Sequence, residues 1–508
     1  MKTQKKVVFN TIVLYIKVVL NIILQLITVP IVINALGVSD YGVYTLIAGI
    51  VAMLSFLTNS LSVSTQRYIS VAIGTNDINK IKQVFSNSFL VHLLLAILVV
   101  ILLEFGSIFI SNLNIASNRM YSAHLLYQIL IITTLIRIIT SPFSAITNAH
   151  EDMLIFSIIS ITDTLLMLIT AILMQFINGD RLIFYGICIG LIAIVNFLCF
   201  YIWTRYKYRM YSINIRNIKQ NYEKTLFKDI VSFSGWSLFG AIANVLKNQG
   251  VGVIVNLFKG SVANATYGIA NQVNGAILNF SVMFQKALNP QLMQSEGMNN
   301  RKRLIEIALI SSKFSVLALG IFAIPLILEI DEVLLIWLGS DIPLNTGRLI
   351  QLIVIYSIIY QYSSGLMSSI QAVGKICNYQ IIMSIIIFLN LPLICLFFYL
   401  DFPIYYLAVA FIVLEIVSLV VRLYKAKKIV GIMIYDFLYK VISPTCIIIL
   451  VSTLISLIPH LLLPQCFYRL ILTTIVYVFA YLILSWFFAI DTNMRNKIAS
   501  RVKSINVI

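Results

Sequence analysis

The chain has 508 residues, 60% of them apolar and only 11% charged, with a mean hydropathy of +0.97 and a net charge of +17. Soluble globular chains carry roughly 25% charged residues, so this composition excludes a string of water-soluble domains, and its hydrophobicity excludes intrinsic disorder. A membrane helix needs about 20 apolar residues, a barrel strand about 10 of alternating character. The long, continuous apolar runs predict an all-α polytopic membrane protein.

In chain order, Lys2, Lys5 and Lys6 precede an apolar run that reaches about residue 34 and contains Lys17. That run is too long for the roughly 7–15 residues of a signal-peptide core, so it reads as an uncleaved first span. Thirteen further candidates follow, at about 42–66, 84–111, 121–142, 153–177, 182–203, 229–257, 263–290, 304–328, 345–370, 376–400, 403–424, 436–459 and 466–489. Cytoplasmic loops carry an excess of Lys and Arg. With the N-terminus inside, 26 of the 36 cations fall in cytoplasmic segments, 5 outside and 5 within spans, which predicts fourteen spans with both ends cytoplasmic. In a soluble protein this charge would suggest nucleic acid; its one-sided placement makes it a topology signal instead, and no nucleic-acid partner is expected.

The loops exclude several activities. The longest, 204–228, is basic and cytoplasmic, and the longest external one, about 329–344, carries Glu329, Asp331, Glu332 and Asp341. There is no GxxxxGK[ST] phosphate loop, no CxxC pair among six scattered cysteines, and no clustering of the four histidines. No catalysis and no cofactor are expected; transport is. A membrane-embedded glycan polymerase or ligase would carry a sizeable external loop.

The first span ends Asn34-Ala-Leu-Gly37 and the second opens Asp40-Tyr-Gly-Val-Tyr44; six spans later, Asn256-Leu-Phe-Lys-Gly260 precedes Ala265-Thr-Tyr-Gly-Ile269. Both junctions place a glycine turn after an apolar span and Tyr-Gly at the next helix start, as a duplicated six-helix unit would. Transporters built from repeats hold substrate near the membrane midplane between them. The expected organisation is an N-terminal lobe at 1–203, a basic linker at 204–228, a C-terminal lobe at 229–424, and two appended helices with a tail at 425–508.

The run Pro30-Ile-Val-Ile-Asn-Ala-Leu-Gly-Val-Ser-Asp-Tyr-Gly-Val-Tyr44, with Phe233-Ser-Gly-Trp236 and Tyr267-Gly-Ile-Ala270, resembles the bacterial polysaccharide transporters. These are the O-antigen flippase-like branch of the MATE and oligosaccharidyl-lipid flippase superfamily. The resemblance implies a MATE-like pair of lobes that opens alternately to each side of the bacterial cytoplasmic membrane. It implies a polyprenyl-pyrophosphate-linked oligosaccharide as cargo, membrane lipids as neighbours, and a polysaccharide polymerase with export machinery as further partners.

Polar residues recur at helical spacing in several spans: Asn10, Lys17, Asn21, Gln25 and Thr28 in the first; Ser55, Asn59, Ser62 and Gln66, beside Arg67, in the second. Asn264, Tyr267, Asn271 and Asn274 do so in the eighth, and Tyr356, Tyr360, Ser364, Ser368 and Gln371 in the tenth. Such stripes serve either as interhelical hydrogen bonds of about 0.6 kcal/mol each or as the wall of a hydrated cavity where amides meet sugar hydroxyls and tyrosine rings stack on sugars. A cation at the membrane centre costs roughly 2.5–3.5 kcal/mol, so Lys17, Arg137, Lys247, Lys286 and Lys313 each call for an explanation. Lys17, Arg67, Arg137 and Lys286 are candidates for binding a pyrophosphate from the inner leaflet, and Lys247 for passing it outward. Asp163 and Glu415 are candidates for ion coupling or for structural pairing. A drug or small-solute antiporter of the same fold would need those acids to face its cavity, and that alternative stays open. Pro30, Pro325, Pro392 and Pro444 lie inside spans and offer kinks.

Overall fold

The computed structural model describes residues 2–108, 110–112, 115–209, 211, 219–339 and 342–489, with the side chains of residues 2–5, 38, 52 and 112 left out. Asp341, part of the 204–228 linker and the C-terminal tail therefore lie outside the described residues. Within them the regular secondary structure is entirely helical. The reason is the solvent: a bilayer core offers no partner to a backbone N–H or C=O, so each span must satisfy its own.

Twelve helices are long and apolar enough to cross a membrane, and a pair bent by 46°, Ser39–Val51 and Ser55–Gly74, makes a thirteenth span. One of the twelve, Lys224–Gly297, has 74 residues. At 1.5 Å per residue it would run about 110 Å, more than three times a bilayer core. It is two spans joined at Gly260, where the backbone leaves helical geometry (φ 83°, ψ −177°). The helix Lys2–Ala52 breaks in the same way at Gly37 (φ 78°, ψ 160°). Among the described residues, fourteen candidate spans result. The two breaks fall on the glycines that the internal repeat singles out, and both occupy a region of backbone space open essentially to glycine alone.

Helix starts follow ordinary capping chemistry. Asp77 accepts from the N–H groups of Asn79 (2.9 Å) and Lys80 (3.2 Å) at the head of the third span, and Asp180 accepts from Leu182 and Ile183 at the head of the sixth. Of the four prolines named from the sequence, Pro444 follows a π-turn at Leu438–Ile442, and Pro392 follows a break at Leu389. Pro30 and Pro325 sit in helix that continues past them.

The chain divides into two compact units, residues 1–242 with 289–300, and residues 243–288 with 301–508. In the first, one core gathers Val32, Ile47, Leu103, Tyr127 and Tyr185, and another gathers Ile69, Phe85, Phe143, Phe200 and Tyr211. Arg119 ties helix ends together, donating to Asp40 (2.7 Å) and Asp180 (3.0 Å). Burial pushes the Asp180 carboxyl up, but the Ser122 hydroxyl, the Leu182 and Ile183 N–H groups and Arg119 outweigh it and hold it below the ordinary carboxylate range. Asp40 of the Asp-Tyr-Gly motif thus has a structural partner.

In the second unit the last two spans are fastened to the span Arg301–Leu328. Tyr477 and Tyr481 donate to the carbonyls of Gly320 (3.1 Å) and Leu317 (3.0 Å), and Lys313 donates to the Ala489 carbonyl (2.9 Å). Glu329 differs from its sequence-based reading as a loop acid. It is 1% exposed, with His460 Nδ1 2.8 Å from one carboxylate oxygen and Arg469 Nη2 2.9 Å from the other.

The turn between the fourth and fifth spans is a junction for the first unit. The Ala149, His150 and Glu151 carbonyls accept from Gln294 (2.8 Å), Lys6 (3.0 Å) and Asn10 (3.1 Å). The His150 ring stacks on Tyr208 (4.0 Å between centroids) with its Nε2 2.9 Å from the Tyr211 hydroxyl.

Both the glycine junctions and this histidine turn are open to test. Gly37→Ala and Gly260→Ala should each destabilise the detergent-solubilised protein by about 1–3 kcal/mol from backbone conformation alone, because no atom lies within 4 Å of the added Cβ; thermal melts measure this. Burial pushes the His150 pKa from 6.5 down to about 4, so the folded chain holds it neutral where the unfolded chain would protonate it. Stability should therefore fall as pH drops from about 6.5 through 4, and melts of the His150→Gln variant should show a shallower loss over that window.

Candidate functional site

The second unit contains a cavity of about 940 Å³, walled by the seventh, eighth, tenth and twelfth spans. Its lining is dominated by amides: Asn244, Asn248 and Asn256 from the seventh span, and Asn264, Asn271 and Asn274 from the eighth. Tyr267, Tyr356 and Tyr360 add phenol rings, and Ser357 adds a hydroxyl, which donates to Asn274 Oδ1 at 2.6 Å. Among the described residues the lining includes one charged side chain, Lys247.

Lys247 is 6% exposed. Its ammonium lies 3.9 Å from the Phe411 ring centroid and 4.8 Å from that of Tyr356, and it donates to the Tyr356 hydroxyl at 3.3 Å. Two aromatic faces are the environment in which a desolvated cation gains most from ring quadrupoles. Its charged neighbours are Glu415, which attracts it, and Arg422, which repels it.

Behind Lys247, Glu415 is ion-paired with Arg422, both almost fully buried. Arg422 sits inside the helix Tyr406–Ile429, two turns beyond Glu415 on the same face. It also donates to the Ser363 hydroxyl (2.9 Å), which lies at the break between Thr346–Tyr362 and Ser364–Val373. The guanidinium lies 5.5 Å from the Tyr360 ring centroid, with Tyr379 close by. Just past the break, Gly365 presses against the Ala308 carbonyl, closer than a Cβ would permit, and its N–H donates to Ser312 (3.0 Å).

Of the sequence candidates, Lys247, Asn271, Asn274, Tyr356 and Tyr360 line this one cavity, and Glu415 stands beside it. Lys286 is half-buried in the eighth span and does not line it. Lys17, Asn21, Gln25, Asn59, Arg67, Arg137 and Asp163 belong to the first unit. There Lys17 lies 4.6 Å from the Phe156 ring centroid, and Asn21 bonds Ser160 and Thr164 at 3.3 Å each. Gln25, Asn59 and Arg137 are exposed, with Arg137 in the field of Asp163. Arg67 is buried against the rings of Tyr68 and Phe233, in the field of Glu296 and Asp229. Sequence reasoning missed Asn244, Asn248 and Asn256; the four-residue step from 244 to 248, bracketing Lys247, was the available signal. No group of three His, Cys, Asp or Glu among the described residues could hold a metal ion.

A family model described as polysaccharide biosynthesis protein matches residues 7–296, more than half the chain. The chain belongs to this family. No curated protein matches the sequence. Among solved structures it is similar to a MATE transporter in the bent conformation (TM-score 0.74, 14% identity, covering 84% of this chain and 96% of that one). It is also similar to an outward-facing multidrug resistance MATE transporter of the MOP superfamily (TM-score 0.73, 15% identity, 84% and 96% covered). A MOP superfamily transporter from Pyrococcus furiosus matches at TM-score 0.72 and 13% identity, again over 84% and 96%. The fold is that of the MATE transporters, and the chain is a multi-pass membrane protein.

The buried pair yields a prediction. Arg422→Leu leaves the Glu415 charge uncompensated and should cost about 3–5 kcal/mol, whereas Arg422→Leu with Glu415→Leu should recover most of that loss. Thermal melts of both variants in detergent measure the difference.

Proposed function

We propose that the chain is a flippase that carries a polyprenyl-pyrophosphate-linked oligosaccharide from the inner to the outer leaflet of the bacterial cytoplasmic membrane by alternating access. The cargo is an O-antigen, capsule or exopolysaccharide repeat unit, and both chain ends lie on the cytoplasmic side. The observation that carries this reading is the cavity lining: six asparagines, three tyrosines and one serine around a single lysine. Amides and hydroxyls match the donor and acceptor density of a sugar, tyrosine rings match its apolar faces, and an ammonium pairs with phosphate oxygens by charge-assisted bonds. Family membership in polysaccharide biosynthesis supports the same cargo class.

In this mechanism the cationic residues of the first unit, Lys17, Arg67 and Arg137, and Lys286 of the second serve the pyrophosphate on the cytoplasmic side. Lys247 passes the pyrophosphate outward, the amides around it hold the glycan, and the prenyl chain remains in lipid. An inside-negative potential favours outward movement of an anion by about 2.3 kcal/mol per charge per 100 mV. Ion coupling through Asp163 or Glu415 would add to that.

The rival is a cation-coupled drug or solute antiporter, which the likeness to a multidrug resistance transporter favours. Against it, Glu415 already has a buried guanidinium partner, and no carboxylate lines the cavity among the described residues. The Pyrococcus furiosus transporter is described as having a binding pocket of reversed polarity that suggests a different function, so pocket charge is a relevant discriminator within this fold.

Expression in a bacterium lacking its own O-antigen flippase should restore surface glycan. Lys247→Gln should lower that display at least about tenfold, the value of one lost charge-assisted bond, at unchanged membrane abundance. Ethidium efflux without glycan display would overturn the reading in favour of the antiporter.

A further inference from the structure

We infer that the end of the sixth span, around Arg205 and Arg209, is a binding site for an anionic phospholipid, separate from the cargo cavity. A second cavity, of about 570 Å³, lies there, walled by Tyr201, Ile202, Arg205, Tyr206 and Arg209. Arg205 sits in the last turn of the helix Arg181–Lys207, and Arg209 lies just beyond it. Both are exposed, and neither has an ion-pair partner among the described residues. Lys207, between them, is committed elsewhere: its ammonium lies 2.7 Å and 2.8 Å from the two carboxylate oxygens of Asp152. The same helix end thus holds one cation used structurally and two left facing a cavity.

The apolar side of the site identifies the ligand's other half. Leu191, Val195, Leu198 and Ile202 are 55%, 39%, 43% and 61% exposed. They recur at four, three and four residues, so they form one stripe along the helix that runs into the basic cavity. Tyr206, 80% exposed, caps the stripe at the depth where an amphipathic ring sits best, between hydrocarbon and headgroups. Tyr201 gives the cavity a fixed wall, its ring stacked on Phe197 (5.8 Å, 16°) and edge-on to Phe143 (5.7 Å, 88°). An acyl chain along the aliphatic stripe brings its headgroup phosphate to two guanidiniums whose fork geometry suits phosphate oxygens. A free phosphate would use the arginines but leave the stripe without a role, so the lipid is the occupant the surface fits.

This lipid site stands whatever the transported cargo is. Full-length protein purified in detergent is titrated with phosphatidylglycerol, with phosphatidylcholine of the same acyl chains, and with inorganic phosphate, and bound molecules are counted by native mass spectrometry. The wild type should bind phosphatidylglycerol about tenfold tighter than phosphatidylcholine, a preference of about 1.4 kcal/mol. Arg205→Gln with Arg209→Gln should abolish the preference, and a control of equal charge, Lys302→Gln with Lys375→Gln, should keep it. Arg209→Gln alone, beyond the helix, should lower it severalfold and covers the case in which the double variant misfolds. Equal binding of the two lipids, equal loss in the control, or competition by inorganic phosphate at comparable concentration would each overturn the site.

Discussion

The cavity of the second unit hangs from one salt bridge placed where water cannot screen it. Glu415 and Arg422 are both nearly inaccessible, so neither charge is tolerable without the other. From that pair the rest of the site is fixed in steps. Arg422 reaches Ser363 at the break in the tenth span and lies near Tyr360, while Glu415 sets the field in which Lys247 sits between Phe411 and Tyr356. The seat of the tenth span is made close by Gly365, whose backbone lies against Ala308. A lysine this deep is explained by rings and a nearby carboxylate, and the carboxylate is explained by the arginine.

Both units join helices by polar side chains, and the second adds an open polar cavity. In the first, polar side chains mostly join one helix to another: Asn21 bonds Ser160 and Thr164, Arg119 joins Asp40 to Asp180, and the turn at His150 collects Lys6, Asn10 and Gln294. In the second, six asparagines are turned toward open volume. Hydrogen bonds within helix packing set rigidity, whereas amides lining a cavity stand where a ligand can reach them. The proposed glycan contacts accordingly concentrate in the second unit, while the phosphate contacts are sought among Lys17, Arg67 and Arg137 of the first and Lys247 and Lys286 of the second.

Much of the fold is legible in the sequence because the bilayer imposes a length on every element. The span count and the glycine junctions at Gly37 and Gly260 come straight from apolar run lengths and one repeated motif. The stripes of the eighth and tenth spans also read clearly, and Asn271, Asn274, Tyr356 and Tyr360 meet in one cavity with Lys247. Arg422 was not legible, since an arginine a few residues from a span's end looks like any interfacial cation. Only the helix break at Ser363 and the companion two turns back reveal its place. Glu329 was hidden for the same reason: its partners His460 and Arg469 lie more than a hundred residues away. Asn244, Asn248 and Asn256 were masked by the hydropathy of the run that contains them.

The single-residue kinks at Gly37 and Gly260 bear on how this chain can be studied at the bench. A helix that bends at one glycine offers no slack segment for a protease to straighten across its active site, and both positions lie in open space. Limited proteolysis will pass over these two bends and cut at longer connections. Mapping which side of the membrane they face calls for a reagent no larger than a maleimide, attached to a cysteine placed one or two residues away so that the glycine itself is kept.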